Sequence, residues 1–144
     1  MVRVASACLR VSCLLVLLSA ARALPNTIEG MKTTYEVIAE GDGRAVAKGD
    51  SVTAHATGTV KETGKNFWST KDDGQSPFTY EAGVNRVIKG WDQGCLGMKV
   101  GGKRKLDIPA AEAYGAGGFP AWGIPPDGSL LFEIEVLEID PPNW

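Results

Sequence analysis

The placement of glycine constrains this chain more than any other feature. All 18 glycines follow residue 23, and they separate short segments in which apolar and polar residues alternate. Glycine adopts the left-handed conformations that tight turns demand and weakens the interior of helices and strands. A chain punctuated so often is expected to fold as many short strands joined by turns.

Alternation with a period of two marks those strands. Met31 to Ala39 reads as one, stopped by Gly41-Asp42-Gly43. From Ser51 to Val60, Val52, Ala54, Ala56 and Val60 fall on one face, with Thr57 and Thr59 on the other. Lys61 to Lys65 reads as a hairpin turn, Phe67-Trp68 as the start of the return strand, and Phe78 to Tyr80 as a further short strand. Arg104, Leu106 and Ile108 share one face of a strand that Pro109 ends. Leu130, Phe132, Ile134 and Val136 form the inward face of the last strand, while Glu133 and Glu135 point to water.

One segment breaks the pattern. From Val87 to Leu96, Ile88, Trp91 and Cys95 recur at i, i+3 and i+7, one stripe of a short helix. Gly90 and Gly94 weaken it by about 1 kcal/mol each relative to alanine, so it needs a sheet to lie on. The fold class expected is α+β, a curved antiparallel β-sheet half-wrapped around one short α-helix.

The first 23 residues have a different texture. Arg3 and Arg10 make a basic start, Val11 to Leu18 is a short apolar run, and Ala21-Arg22-Ala23 offers the small residues of a cleavage site. That combination describes a secretory signal peptide, and the run falls short of the ~20 apolar residues of a transmembrane helix. A buried terminal helix or an uncleaved anchor would fit the same residues; cleavage is the expectation carried forward. Residues 24–32 then read as a short linker, 33–140 as one domain and 141–144 as a tail.

Loss of residues 1–23 removes Arg3, Arg10 and Arg22 and moves the formal charge from −2 to −5. An acidic domain without clustered Lys and Arg is a poor partner for nucleic acid. Cys8 and Cys13 leave with the leader, so Cys95 has no partner for an intrachain disulfide even in an oxidising compartment. His55 is the single histidine, too little with one cysteine to build a metal site. Neither a cofactor nor a metal is expected.

Several short strings acquire meaning together. Val87 to Met98 resembles the helix entry of FKBP-type peptidyl-prolyl cis-trans isomerases. Lys103 to Pro109, Ala113-Tyr114-Gly115, Ile124-Pro125-Pro126 and Leu131 to Leu137 match that family in order and spacing. His55, Thr57-Gly58, Gly64-Lys65 and Phe67 match its first hairpin, and Pro77-Phe78 the strand before the helix. The resemblance spans Thr33 to Ile139.

It implies an isomerase with an aromatic pocket between helix and sheet. The catalytic positions would be Phe67, Phe78, Ile88, Trp91, Tyr114 and Phe132, with Trp91 as floor, the Ile88 amide bonding a ligand carbonyl and Tyr114 supplying a phenol at the rim. Val87, Phe119, Trp122, Ile124, Ala56 and Trp68 would contact substrate. Phe119 and residues 122–124 would form a flexible wall carrying one extra residue. The implied partners are proline-containing polypeptides and macrolides, met by a monomer that is free of the membrane once the leader is cut.

The chemistry suits such walls. Resonance holds an X-Pro amide planar behind a barrier of about 18–20 kcal/mol. The twisted transition state has lost that resonance and its charge separation, so a dry aromatic pocket favours it over the planar ground state. Phe, Tyr and Trp are large, rigid and apolar. The same aromatics would also suit core positions, and Phe132 is expected to serve both purposes.

Two positions depart from the family. Ala56 stands where a Tyr is usual, and Trp68 where an Asp is usual. Both partners of a familiar phenol–carboxylate contact are absent, and Trp68 is expected to fill the vacated space. Activity on Leu-Pro or Phe-Pro peptides should survive, while affinity for tacrolimus and rapamycin should fall. The alternative is a module that binds proline segments, or a partner protein, without useful turnover. The tail Asp140 to Trp144 carries no K-D-E-L-like signal. The expected location is the lumen of the secretory pathway or the exterior.

Overall fold

The computed structural model describes residues 24–142. Residues 1–23, where a signal peptide is expected, and residues 143–144 lie outside that range. The described chain runs β1 (Asn26–Thr27), β2 (Thr34–Ala39), β3 (Asp42–Ala45), β4 (Ser51–Val60), β5 (Asn66–Ser69), β6 (Phe78–Glu81), α1 (Lys89–Gly94), β7 (Lys99–Val100), β8 (Lys103–Ile108) and β9 (Leu130–Asp140). Three single-turn 3-10 helices, at Ala110–Glu112, Gly115–Gly117 and Pro120–Trp122, fill the connection from β8 to β9.

Seven strands form one antiparallel sheet in the order β1-β2-β8-β9-β4-β5, and β6 joins the free side of β4 beside β5. β4 is the spine. It pairs with β9 along its whole length, from Ser51 opposite Asp140 to Val60 opposite Leu130. On its other side, residues 51–54 pair with β6 and residues 57–59 with β5. Its alternation is realised: Val52, Ala54, Ala56, Gly58 and Val60 are buried, and the residues between them are half-buried. Leu106, Ile108, Leu130, Ile134 and Val136 complete the inner face and are fully buried. Burying a side chain of this size contributes about 1.5–3 kcal/mol.

The helix lies against β8 through its glycines. A Cβ on Gly90 would stand 2.4 Å from Ile108 Cγ2, and one on Gly94 would stand 3.0 Å from both Leu106 Cδ atoms. The residues that weaken α1 in isolation are thus those that let its backbone touch the sheet. Trp91 and Cys95 fall on the buried stripe as their spacing predicts. Arg104 reaches back from β8 to finish the helix: its Nη1 donates to the carbonyls of Gly94 (3.0 Å) and Leu96 (2.9 Å). Those carbonyls have no partner within the helix, and a cation at a C-terminus suits the helix dipole.

The structure differs from the sequence reading in four places. Asn26–Thr27, from the stretch read as linker, pairs with Thr34 and Tyr35 as an edge strand. The strand expected from Met31 begins at Thr34, because Lys32 and Thr33 give their N–H groups to the Glu112 carboxylate instead of to a ladder. Gly41-Asp42-Gly43 does turn the chain, but Asp42–Ala45 then pairs with Lys99–Val100 as a second, two-stranded sheet. The helix is also shorter than its apolar stripe, since Ile88 holds an extended backbone (φ −55°, ψ 147°) and only caps it.

Candidate functional site

Where α1 meets the concave face of the sheet, a hollow of about 220 Å³ remains open, lined by Trp68, Phe78, Arg86, Val87, Ile88, Trp91, Tyr114, Trp122 and Phe132. Trp91 sits at its base, 3% exposed, because α1 presses the indole towards β9 and β6. Its ring centroid is 4.9 Å from Phe132, 5.7 Å from Phe78 and 6.2 Å from Trp68, in edge-on or tilted contacts. Such offsets match the positive rim of one ring to the negative face of another.

Five of the six residues read as catalytic line this hollow: Phe78, Ile88, Trp91, Tyr114 and Phe132. Phe67 stands behind them, edge-on to Phe132 at 5.7 Å and stacked on Trp122 at 6.4 Å. Of the residues read as touching substrate, Val87, Trp68 and Trp122 line the hollow. Ala56 does not: it is 2% exposed on the core face of β4, and its N–H is bound by Thr70 Oγ1 at 3.0 Å. Ile124 is likewise core, at 1% exposure. Phe119 lies one layer out, 5.3 Å from Tyr114 and 5.0 Å from Trp122.

Trp68 turns inward. Its ring packs 6.0 Å from Phe78 and lines the hollow. The segment read as a flexible wall is closed by hydrogen bonds. Phe119 and Ile124 exchange backbone bonds of 3.0 and 3.1 Å around the Pro120–Trp122 turn. Gly118 makes this possible, since at φ +64° a Cβ would come within 2.4 Å of the Pro125 carbonyl oxygen. The hairpin swings Trp122 back over Phe67 and leaves its outer face 47% exposed.

The chemistry of the lining is spare. Trp and Phe side chains dominate, and no carboxylate, histidine or cysteine contributes. Tyr114 is the one phenol, and burial pushes its pKa above the usual 10.0, so it stays protonated at neutral pH. The Ile88 N–H gives its hydrogen to no protein acceptor among the described residues. It stands at the edge of the hollow as a free donor. Arg86, which the sequence reading passed over, also lines the mouth. Its position before Val87-Ile88 in a chain entering the helix was the available signal.

Beneath the floor, Tyr80 is 5% exposed, and its hydroxyl lies by the Trp91 indole and the Cys95 thiol, yet neither the hydroxyl nor Trp91 Nε1 makes a hydrogen bond of good geometry. Burial drives the Tyr80 phenol far above its usual pKa, and the adjacent Cys95 thiol is pushed up to about 12 for the same reason. A larger groove, of about 830 Å³, lies at the opposite end of β4 between Lys48, Glu81 and Asp140. It holds no aromatic side chain, and the charged Lys48, Glu81 and Asp140 are among the residues that line it. No group of three or more His, Cys, Asp or Glu among the described residues is placed to hold a metal ion.

Residues 42–137 match the sequence family of FKBP-type peptidyl-prolyl cis-trans isomerases. The chain belongs to that family. As an FKBP-type chain it is 51% identical over 111 residues to the peptidyl-prolyl cis-trans isomerase FKBP12 of Arabidopsis thaliana, covering 76% of this chain and 99% of the relative. It is 52% identical over 109 residues to the protein of the same name from Vicia faba, with 74% and 97% covered. The crystal structure of FkpA from Escherichia coli superposes with a TM-score of 0.73 at 33% identity. That alignment covers 91% of this FKBP-type chain and 58% of FkpA.

Proposed function

We propose that the aromatic hollow of this FKBP-type isomerase is where cis/trans rotation about X-Pro bonds is catalysed, on polypeptides passing through the secretory pathway. The protein is a peptidyl-prolyl cis-trans isomerase, as its relatives are. The observation that carries the assignment of the site is an aromatic-lined cavity floored by Trp91 with one free backbone donor, the Ile88 N–H, at its edge.

The route from geometry to rate needs no proton transfer. The pyrrolidine ring enters over Trp91, and the carbonyl preceding it accepts from the Ile88 N–H. Phe78, Phe132 and Trp68 exclude water from the amide, which penalises the charge-separated planar form and spares the twisted one. Each ~1.4 kcal/mol of selective stabilisation is about tenfold in rate. Tyr114, protonated and at the rim, offers its hydroxyl to the substrate backbone.

Two finer proposals go with this reading. Trp68 brings a ring and no acceptor to the mouth, so a macrolide whose hydroxyl seeks a carboxylate there binds this protein less tightly than it binds relatives with Asp. Residues 1–23 direct the chain to the secretory pathway and are then removed, supported by the basic start, apolar run and small-residue site. The mature domain acts as a monomer, away from membrane and nucleic acid. No helix among the described residues is long and apolar enough to cross a membrane.

The decisive test is a protease-coupled assay on Leu-Pro and Phe-Pro peptides. Tyr114→Ala and Trp91→Leu should each lower kcat/KM by about tenfold or more. Equal rates in wild type and both variants would move the chemistry away from this hollow and favour the reading as a binding module. N-terminal sequencing of protein recovered from a eukaryotic secretory host should begin at or next to Leu24; a start at Met1 would overturn the leader.

A further inference from the structure

Among the nine residues around the hollow, Arg86 alone carries a charge at neutral pH. It forms no ion pair and no side-chain hydrogen bond among the described residues, and it is exposed. A guanidinium is a fork of five donors suited to a carboxylate, and this one has none in its own chain.

Its position is held. Asn85 takes a left-handed conformation (φ +61°), which turns the chain so that Arg86 follows at the mouth. Asp92, fully buried in α1, accepts the N–H groups of Gly83 at 2.8 Å and Asn85 at 3.2 Å. The carboxylate that pins this loop is therefore engaged by its backbone, and it forms no ion pair with Arg86. Trp68, in the same lining, brings a ring and no carboxylate. The mouth is left with a positive charge that makes no ion pair among the described residues, beside an apolar cavity.

We infer that Arg86 is a specificity-determining residue, biasing this isomerase towards X-Pro segments that carry an Asp or Glu within two residues of the proline. This rests on the isomerase reading of the hollow. The apolar residue before proline still enters the cavity, where a charge would be desolvated at cost, and the acidic side chain meets Arg86 at the rim. The interaction is strengthened by the low-dielectric aromatic wall beneath it and screened by salt.

The experiment compares peptides that keep Leu-Pro and place Glu, Gln or Lys either before the Leu or after the proline. At low ionic strength the kcat/KM ratio of Glu to Lys peptides should be about two- to fivefold at one of the two positions, the size expected of a single exposed ion pair. The ratio should fall towards unity near 1 M salt, where the screening length is about 3 Å. Ratios are taken within each variant, so a general loss of rate cancels. Arg86→Ala should abolish the preference, Arg86→Glu should invert it, and Arg86→Lys should retain part of it. Equal rates on all wild-type peptides, or a preference that survives Arg86→Ala, overturns the inference. If no peptide is turned over, the isomerase reading fails separately. Peptide affinities, read from the fluorescence of Trp68, Trp91 and Trp122, then decide the role of Arg86, and equal affinities for Glu and Lys peptides count against it.

Discussion

Tyr80 shows how a single atom can sit badly in a good position. Its ring belongs under the floor: it stacks on Phe78 at 6.0 Å and meets Trp91 edge-on at 5.8 Å. Its hydroxyl is poorly used: it is buried with only the Trp91 indole and the weakly bonding Cys95 thiol beside it, neither in a well-formed hydrogen bond. A buried hydroxyl left unpaired costs about 1–3 kcal/mol, and the ring contacts would survive its removal. Tyr80→Phe should therefore leave stability unchanged or raise it by about 1 kcal/mol, read as the midpoint of urea denaturation. A loss beyond about 1 kcal/mol would mean that the hydroxyl is paired after all.

At the scale of elements, the contact between α1 and β8 sets two expectations that run against simple propensity. In an isolated helix Gly90→Ala is favourable by about 1 kcal/mol. Here the added methyl would stand 2.4 Å from Ile108 Cγ2 and 2.9 Å from Thr33 Oγ1, so α1 must lift from the sheet. Gly90→Ala should destabilise by about 1–3 kcal/mol, the usual cost of overpacking. Isomerase activity should fall with it, because Trp91 rides on the next position. A stabilised Gly90→Ala protein would show that the helix and sheet are not in direct contact.

Next to that contact, Glu112 ties the chain before β2 to the turn that leads to Tyr114. Its carboxylate accepts from Thr33 Oγ1 at 2.6 Å and from the N–H groups of Thr33 at 2.7 Å and Lys32 at 3.0 Å. Burial alone would raise its pKa; these hydrogen bonds, with Lys89 nearby, outweigh burial and hold it below the usual 4.5. With the folded value depressed, the contribution to stability is whole above 4.5 and is lost as pH falls through the folded pKa. Glu112→Gln should cost about 2 kcal/mol at pH 7, since hydrogen bonds to charged groups contribute about 1.5–3 kcal/mol. The gap between wild type and variant should narrow on acidification below about pH 4. A gap independent of pH would exclude the carboxylate as its source.

For the whole molecule, Cys95 reports on cooperativity. It is the free cysteine of the described residues, wholly enclosed between α1 and the sheet, with a thiol pushed up to about 12 by burial. A thiol reacts as its thiolate, so a water-soluble disulfide reagent should label Cys95 only when the domain opens. In intermediate urea the labelling should follow global unfolding, because the helix has no independent core to keep it folded. Rapid labelling in native buffer would show that α1 detaches on its own.

Much of this architecture is legible in residue order. Alternation in β4 and β9, the glycine-rich turns and the apolar stripe of α1 are local patterns, and local patterns survive in a string of letters. Five of the aromatic and aliphatic residues expected to catalyse reach the hollow for the same reason: short strands and one short helix leave their inward faces few places to go. What the string could not decide depends on neighbours far along the chain. Gly90 and Gly94 read as weaknesses until Ile108 and Leu106 are seen against them, and Ala56 and Ile124 read as site residues until the sheet closes over both. Arg86 drew no reading from the string, and it is β5 and the Trp122 hairpin that bring an apolar wall to it. Periodicity determined which face each segment buries, while packing across the sheet decided which buried residues meet an empty space, because a cavity belongs to no segment and exists only where several fail to touch.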